Sequence, residues 1–192
     1  MLKPFHQNLQ PEAGCDEAGR GCLAGPVFAG AVILPPDFRN PILNDSKKLN
    51  EKTRYALREV ILKEALDWSV AHVDAPEIDS INILNASFRA MHLALDALKN
   101  VPTFILVDGN RFKPYREIPH ATIIKGDGIY ASIAAASILA KTFRDDFMLE
   151  QHEKFPFYNW KKNKGYGTAD HRKAIKIHGN CYLHRLSFQV KG

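Results

Sequence analysis

The sequence predicts an α/β fold, a mixed sheet with helices on its faces. Three observations lead there. Short apolar runs of strand length alternate with longer stretches of helical periodicity, and their order reads β-β-α-β-α-β-β-α. The 192 residues, 45% hydrophobic and 24% charged, suit one soluble globular domain. No internal repeat, low-complexity tract or long linker divides the chain.

The first 35 residues read as a hairpin. Residues 13–18 form a short strand, GRGCLAG the turn, and residues 26–34 a strongly apolar strand ended by Pro35 and Pro36. Residues 50–66 are helical, with apolar Tyr55, Leu57, Ile61, Leu62 and Leu66, and Asn50 is placed as N-cap. A third strand spans 68–73. The helical pattern of 75–98 breaks near 80–82. Residues 103–107 (TFILV) are fully apolar and run into Asp108-Gly109, as in a buried strand that delivers a polar residue to a sheet edge. Another strand spans 121–124 and is closed by Gly126. Residues 127–150 form a long helix whose start, ASIAAAS, is rich in small residues. Such residues let a helix lie close to a sheet, although alanine also has high helix propensity. Irregular and short helical pieces complete the chain.

Composition narrows the setting. No apolar run approaches the roughly 18 residues of a membrane span. The N-terminus MLKPFHQNLQPEAG lacks the apolar core of a secretory signal. Cys15, Cys22 and Cys181 are odd in number and lack metal-ligand spacing, which argues for a reducing cytoplasm. The formal charge of +5 divides unevenly. Residues 1–149 carry 17 basic and 18 acidic side chains, whereas residues 150–192 carry 9 and 3. Phe155, Phe157, Tyr158, Trp160 and Tyr166 are interleaved with that basic excess. A polyanion suits the segment, with cations on phosphates and rings on sugars or bases; a solvated tail is the plain alternative.

The acids are more informative. Asp16 and Glu17 lie in the first strand, Asp108 ends TFILV, and Asp127 sits between two glycines. In apolar surroundings an unpaired carboxylate is costly. Clustered carboxylates call for hard divalent cations with oxygen ligands, Mg²⁺ or Mn²⁺. Two such ions about 4 Å apart can activate water and stabilise a leaving oxygen in phosphodiester cleavage. Plainer uses also exist: Asp127 as a helix N-cap, and Asp108-Gly109-Asn110 as a turn.

GCDEAGRGC at 14–22, continued by LAGPVFAGAVIL, closely resembles the signature of the type 2 ribonuclease H family, ribonuclease HII. DSKKL at 45–49, IDSINILNASFRAM at 78–91, ILVDGN at 105–110, KGDGIYASIAAASILAKTFRD at 125–145, KGYGT at 164–168 and HRLSF at 184–188 are similar to that family's blocks, in its order. The likeness covers about residues 13–189.

The resemblance implies a ribonuclease H-like mixed five-stranded sheet flanked by helices, with a C-terminal helical segment. It implies one domain over 1–192, with a catalytic body at about 1–149 and a basic substrate-binding segment at about 150–192. The implied activity is cleavage of the RNA strand of RNA–DNA hybrids and incision of duplex DNA 5′ to a single ribonucleotide, leaving 3′-hydroxyl and 5′-phosphate ends. Asp16, Glu17, Asp108 and Asp127 would hold two Mg²⁺ or Mn²⁺ ions, with Asp16 and Asp108 touching both. Gly19, Arg20 and Gly21 would approach the ribose 2′-hydroxyl, and Tyr166 would pack on the sugar at the junction. Ser46 and Lys47 match substrate-binding positions, Lys141 a position that contacts phosphate or shapes the site, and Arg185 a phosphate contact. His171 and His184 receive no catalytic role. A cytoplasmic monomer is expected. The ending HRLSFQVKG has no clear QxxLxxF-like motif, so a sliding-clamp partner is not supported. The alternatives are a type 3 ribonuclease H, a non-catalytic nucleic-acid-binding module, and a hydrolase using Cys15 or Cys22.

Overall fold

A computed structural model describes residues 1–7 and 10–188. Five strands, β1 (Glu12–Ala18), β2 (Val27–Ile33), β3 (Asp67–Val73), β4 (Phe104–Asp108) and β5 (His120–Ile123), form one sheet in the order β3-β2-β1-β4-β5. β2 is antiparallel to β1 and β3, while β1, β4 and β5 run parallel. All five expected strands are present. β2 is buried along its whole length, which explains why VFAGAVI is continuously apolar instead of alternating.

Among the described residues six α-helices follow the chain: α1 (Glu51–Glu64), α2 (Ala75–Ile81), α3 (Ile83–Asp96), α4 (Ala131–Lys154), α5 (Trp160–Asn163) and α6 (Ala169–His178). Asn50 caps α1 by accepting from the Thr53 amide at 2.9 Å. The break in the second helical stretch is Asn82, whose φ of 66° turns the chain while its carboxamide oxygen accepts from Leu84 and Asn85. α3 lays Ala86, Ala90, Met91 and Ala94 over one sheet face. α4 and α1 cover the other.

α4 lies directly on the sheet. A Cβ on Gly14 would stand 2.2 Å from the Ser132 carbonyl carbon, and one on Gly30 would stand 2.5 Å from the Ala136 oxygen. The small residues of ASIAAAS therefore serve close approach.

Two expectations need correction. The long helix starts at Ala131, not at Asp127; Gly126–Gly128 is a separate 3₁₀ turn. Extended Tyr130 bridges to Lys3, whose carbonyl accepts the Ala131 amide at 2.9 Å. That long-range partner sets the helix start, so Asp127 is no N-cap. GRGCLAG, in turn, is more than a hairpin turn. Its Leu23 amide donates to Gly165 at 2.9 Å, its Gly25 amide donates to Leu183 at 2.8 Å, and its Leu23 carbonyl accepts from Arg185 at 2.9 Å. The loop is a ledge on which the C-terminal segment docks.

α4 passes through the composition boundary at 150. Beyond it, Tyr158 and Trp160 are buried with Met148, Ala24 and Leu183, and their rings stack at 4.9 Å. Most aromatics of the basic segment thus form a small core instead of a stacking surface. Phe157 and Tyr166 remain exposed. Among the described residues no helix is long and apolar enough to cross a membrane. Residues 189–192, the last part of the ending read for a clamp motif, lie outside the described residues.

Candidate active site

Topology brings the acids together. β1 and β4 are parallel neighbours with Cys15 opposite Val107, so Asp16 and Asp108 follow at the same end of adjacent strands. That end is where open α/β sheets place their ligands. Asp16 accepts from the Glu17 amide at 2.7 Å. Asp108 accepts from the Gly126 amide at 2.7 Å, which ties β4 to the turn carrying Asp127. Asp127 is buried, and its Oδ2 has no hydrogen-bond partner.

The electrostatics follow from this crowding. Burial, then Glu17 and Asp108, raise the Asp16 carboxyl well above the usual range. Burial also raises Glu17, against the pull of Arg20, whose Nη1 lies 3.0 Å from Glu17 Oε1. Asp127 is raised to about 6 by burial, then by Asp108 and Asp45. Burial opposes the charge on Lys47, yet Asp127, Asp16, Asp45 and Asp108 outweigh it and raise its ammonium. Lys47 thus stands among four carboxylates, where positive charge is favoured.

One cleft of about 260 Å³ is lined by Asp16, Glu17, Gly19, Arg20, Gly21, Ser46, Lys47 and Tyr166. Asp108 and Asp127 line an adjoining depression that shares Lys47. The four acids, the GRG residues, Ser46, Lys47 and Tyr166 therefore meet in one region. Four residues there escaped prediction. Ser137 on α4 faces Asp16, whose charge it favours, and lies 2.9 Å, Oγ to Oγ, from Ser46. Arg54 on α1 donates to the carbonyls of Ser46 and Leu49, holding the DSKKL turn. Asp45 faces Asp127. Arg144 lies beneath the GRG loop. The spacing of Ala140, Arg144 and Met148 at i, i+4 and i+8 was a usable signal for the last, since it puts an arginine on a buried helix stripe.

Other expectations resolve differently. Arg185 is only 2% exposed and donates to the carbonyls of Gly25 and Arg20, so it is no surface phosphate contact. Lys141 lines the cleft and pairs with Asp145 at 2.6 Å. His171 and His184 are buried and neutral: burial lowers both, and His184 falls to about 4. Trp160 Nε1 donates to His171 Nε2 at 3.0 Å. Cys15 and Cys22 are fully buried and burial raises both thiols, so neither supplies a thiolate nucleophile.

An all-oxygen set of Asp16, Glu17, Asp108 and Asp127, with one buried oxygen unpartnered, fits hard divalent cations. Among the described residues no three Asp, Glu, His or Cys side chains are grouped tightly enough to enclose a metal alone.

The family model described as Ribonuclease HII matches residues 13–191. The chain belongs to the ribonuclease HII family. It is a metal-dependent endoribonuclease by that membership, which sets aside the type 3, binding-module and thiol-hydrolase readings. The ribonuclease HII of Bacteroides thetaiotaomicron is 63% identical over 192 residues, covering 100% of this chain and 96% of that protein. The ribonuclease HII of Christiangramia forsetii is 65% identical over 186 residues, 97% of this chain and 94% of the relative. Among solved structures, ribonuclease H2 from Pyrococcus horikoshii OT3 superposes with a TM-score of 0.77 at 25% identity, covering 93% of this chain and 94% of that one. Bst-RNase HIII in complex with Mn²⁺ has a TM-score of 0.70 at 20% identity, covering 95% of this chain and 71% of that one, and shares the fold.

Proposed function

We propose that this ribonuclease HII incises duplex DNA 5′ to an embedded ribonucleotide and hydrolyses the RNA strand of RNA–DNA hybrids, leaving 3′-hydroxyl and 5′-phosphate ends. Asp16, Glu17, Asp108 and Asp127 would hold two divalent ions, Mg²⁺ or Mn²⁺. The observation that carries this reading is the meeting of four carboxylates with the GRG loop and Tyr166 in one region. When bound, two such ions lower the pKa of an attacking water and neutralise charge on the leaving oxygen.

The chain's own residues do the rest. Asp16 and Asp108, on adjacent strands, would be the central holders of the ions, with Glu17 and Asp127 beside them. Gly19 has a φ of +95°, and a Cβ on Gly21 would meet nothing within 4 Å, so this backbone stays open toward the cleft. A 2′-hydroxyl both donates and accepts, which lets backbone groups tell ribose from deoxyribose. Tyr166 offers a half-exposed ring to the sugar. Ser46 and Lys47 contact phosphate, and the basic residues of 150–192 attract the duplex within the same domain. The enzyme acts as a cytoplasmic monomer.

Asp16→Asn tests the reading. The variant keeps an oxygen for the Glu17 amide but loses a charge. It should bind a duplex carrying one ribonucleotide and fail to cut it with Mg²⁺. Unchanged turnover overturns the assignment.

A further inference from the structure

Two arginines in this chain are buried without a counter-ion. Arg144 is 0% exposed and Arg185 is 2% exposed, and among the described residues neither lies within 4.0 Å of a carboxylate. Their donors go to backbone carbonyls instead. Arg144 bonds Pro26 at 3.1 Å, Ala24 at 3.1 Å and Lys164 at 2.9 Å. Arg185 bonds Gly25 at 3.0 and 2.7 Å and Arg20 at 2.9 Å. The carbonyls of Arg20, Ala24, Gly25 and Pro26 belong to the β1–β2 loop; that of Lys164 belongs to the strand of chain carrying Tyr166.

We infer that Arg144 and Arg185 are positioning residues for ribose recognition: together they fix the GRG backbone and the Tyr166 segment at one separation. The inference rests on the function proposed above. Gly19 sits against Arg144, since a Cβ there would stand 2.1 Å from its Nε, and the Arg144 guanidinium lies 5.9 Å from the Tyr166 ring centroid. One planar fork therefore touches both halves of the sugar-reading apparatus. If filling space were the only need, apolar side chains would serve at least as well, because buried charges carry a desolvation cost. What an arginine adds is several donors in fixed directions. Burial lowers Arg185 to about 10, so it stays charged at neutral pH. A lysine would keep that charge but lose the fork.

A single ribonucleotide presents one 2′-hydroxyl, so its incision depends on loop geometry more than cleavage of a continuous RNA strand does. The test measures kcat/KM for Arg144→Lys and Arg185→Lys on two substrates, a DNA duplex with one ribonucleotide and a uniform RNA–DNA hybrid, with Mg²⁺. Each variant should lower the ratio of the first to the second by about tenfold, a difference near 1.4 kcal/mol. Leu95→Ala is the control for simple destabilisation: it opens the core beneath α3, belongs to neither the β1–β2 loop nor the C-terminal segment, and should leave the ratio within about twofold. Arg185→Lys carries the test by itself if Arg144→Lys does not fold, because Arg185 reaches the loop from outside α4. Equal losses on both substrates, or a shift in Leu95→Ala as large as in the arginine variants, overturn the inference. Wild-type cutting at the single ribonucleotide checks the underlying function separately; its absence removes both.

Discussion

Asp127→Asn should make the metal-free protein more stable while destroying its activity. The Asp127 carboxyl is 3% exposed, lacks a partner at Oδ2, and is raised from 3.8 to about 6, chiefly by burial. On unfolding it returns to the ordinary value. The folded protein therefore holds an extra proton between about pH 4 and 6, and stability from this site falls as pH rises through that window. Roughly two pKa units at 1.36 kcal/mol each give an upper bound of about 3 kcal/mol above pH 6. Solvent screening and relaxation bring the working figure to about 1–2 kcal/mol. Asparagine removes the charge and can donate to the nearby Asp45. For a domain of this size the gain corresponds to roughly 3–6 °C in melting temperature. Thermal denaturation with a chelator at pH 8 should show it, and at pH 5 the gain should shrink by about half as wild-type Asp127 protonates. Adding Mn²⁺ should stabilise the wild type more than the variant. A variant that melts lower at pH 8 with chelator, or a gain independent of pH, refutes the reasoning.

Further predictions concern the sheet and the acids. Gly14→Ala drives a methyl into the Ser132 backbone, and overpacking of this kind costs about 1–3 kcal/mol; urea denaturation should show a lowered midpoint with an unchanged slope. Asp16 and Asp127 are both raised by burial and must be ionised to hold cations. The kcat/KM with saturating Mg²⁺ should therefore climb as pH rises through about 6, and a flat profile from pH 5 to 8 contradicts the electrostatic account.

Local signals read well from the sequence where the partners are local. Asn50 and Asn82 were legible as a cap and a break because each bonds amides two or three residues away. The strands were legible because both sheet faces are covered and their apolar runs are short. The Asp127 helix start failed because Lys3, far upstream, sets the helix entry. Arg185 was read as a surface cation because arginines usually are; nothing near it in sequence shows that carbonyls 160 residues away surround it. The basic aromatic stretch mixed two roles, since Trp160 and Tyr158 build a core while Tyr166 faces the cleft. Motif order placed the carboxylates, whereas Ser137 and Arg54, which support the site through hydrogen bonds to the Ser46 region, carry no local pattern of their own.

The ledge between β1 and β2 has a consequence for how the protein is made. Residues 12–123 contain the whole sheet and leave the ribosome well before Gly165, Leu183 and Arg185, which hold the ledge in place. Domains acquire structure as the chain emerges, and contacts distant in sequence close last. A nascent chain can thus assemble its sheet and bring its acids together while the β1–β2 ledge is still unsupported. The loop beside the cleft therefore takes its final form only after the segment carrying Leu183 and Arg185 has been made.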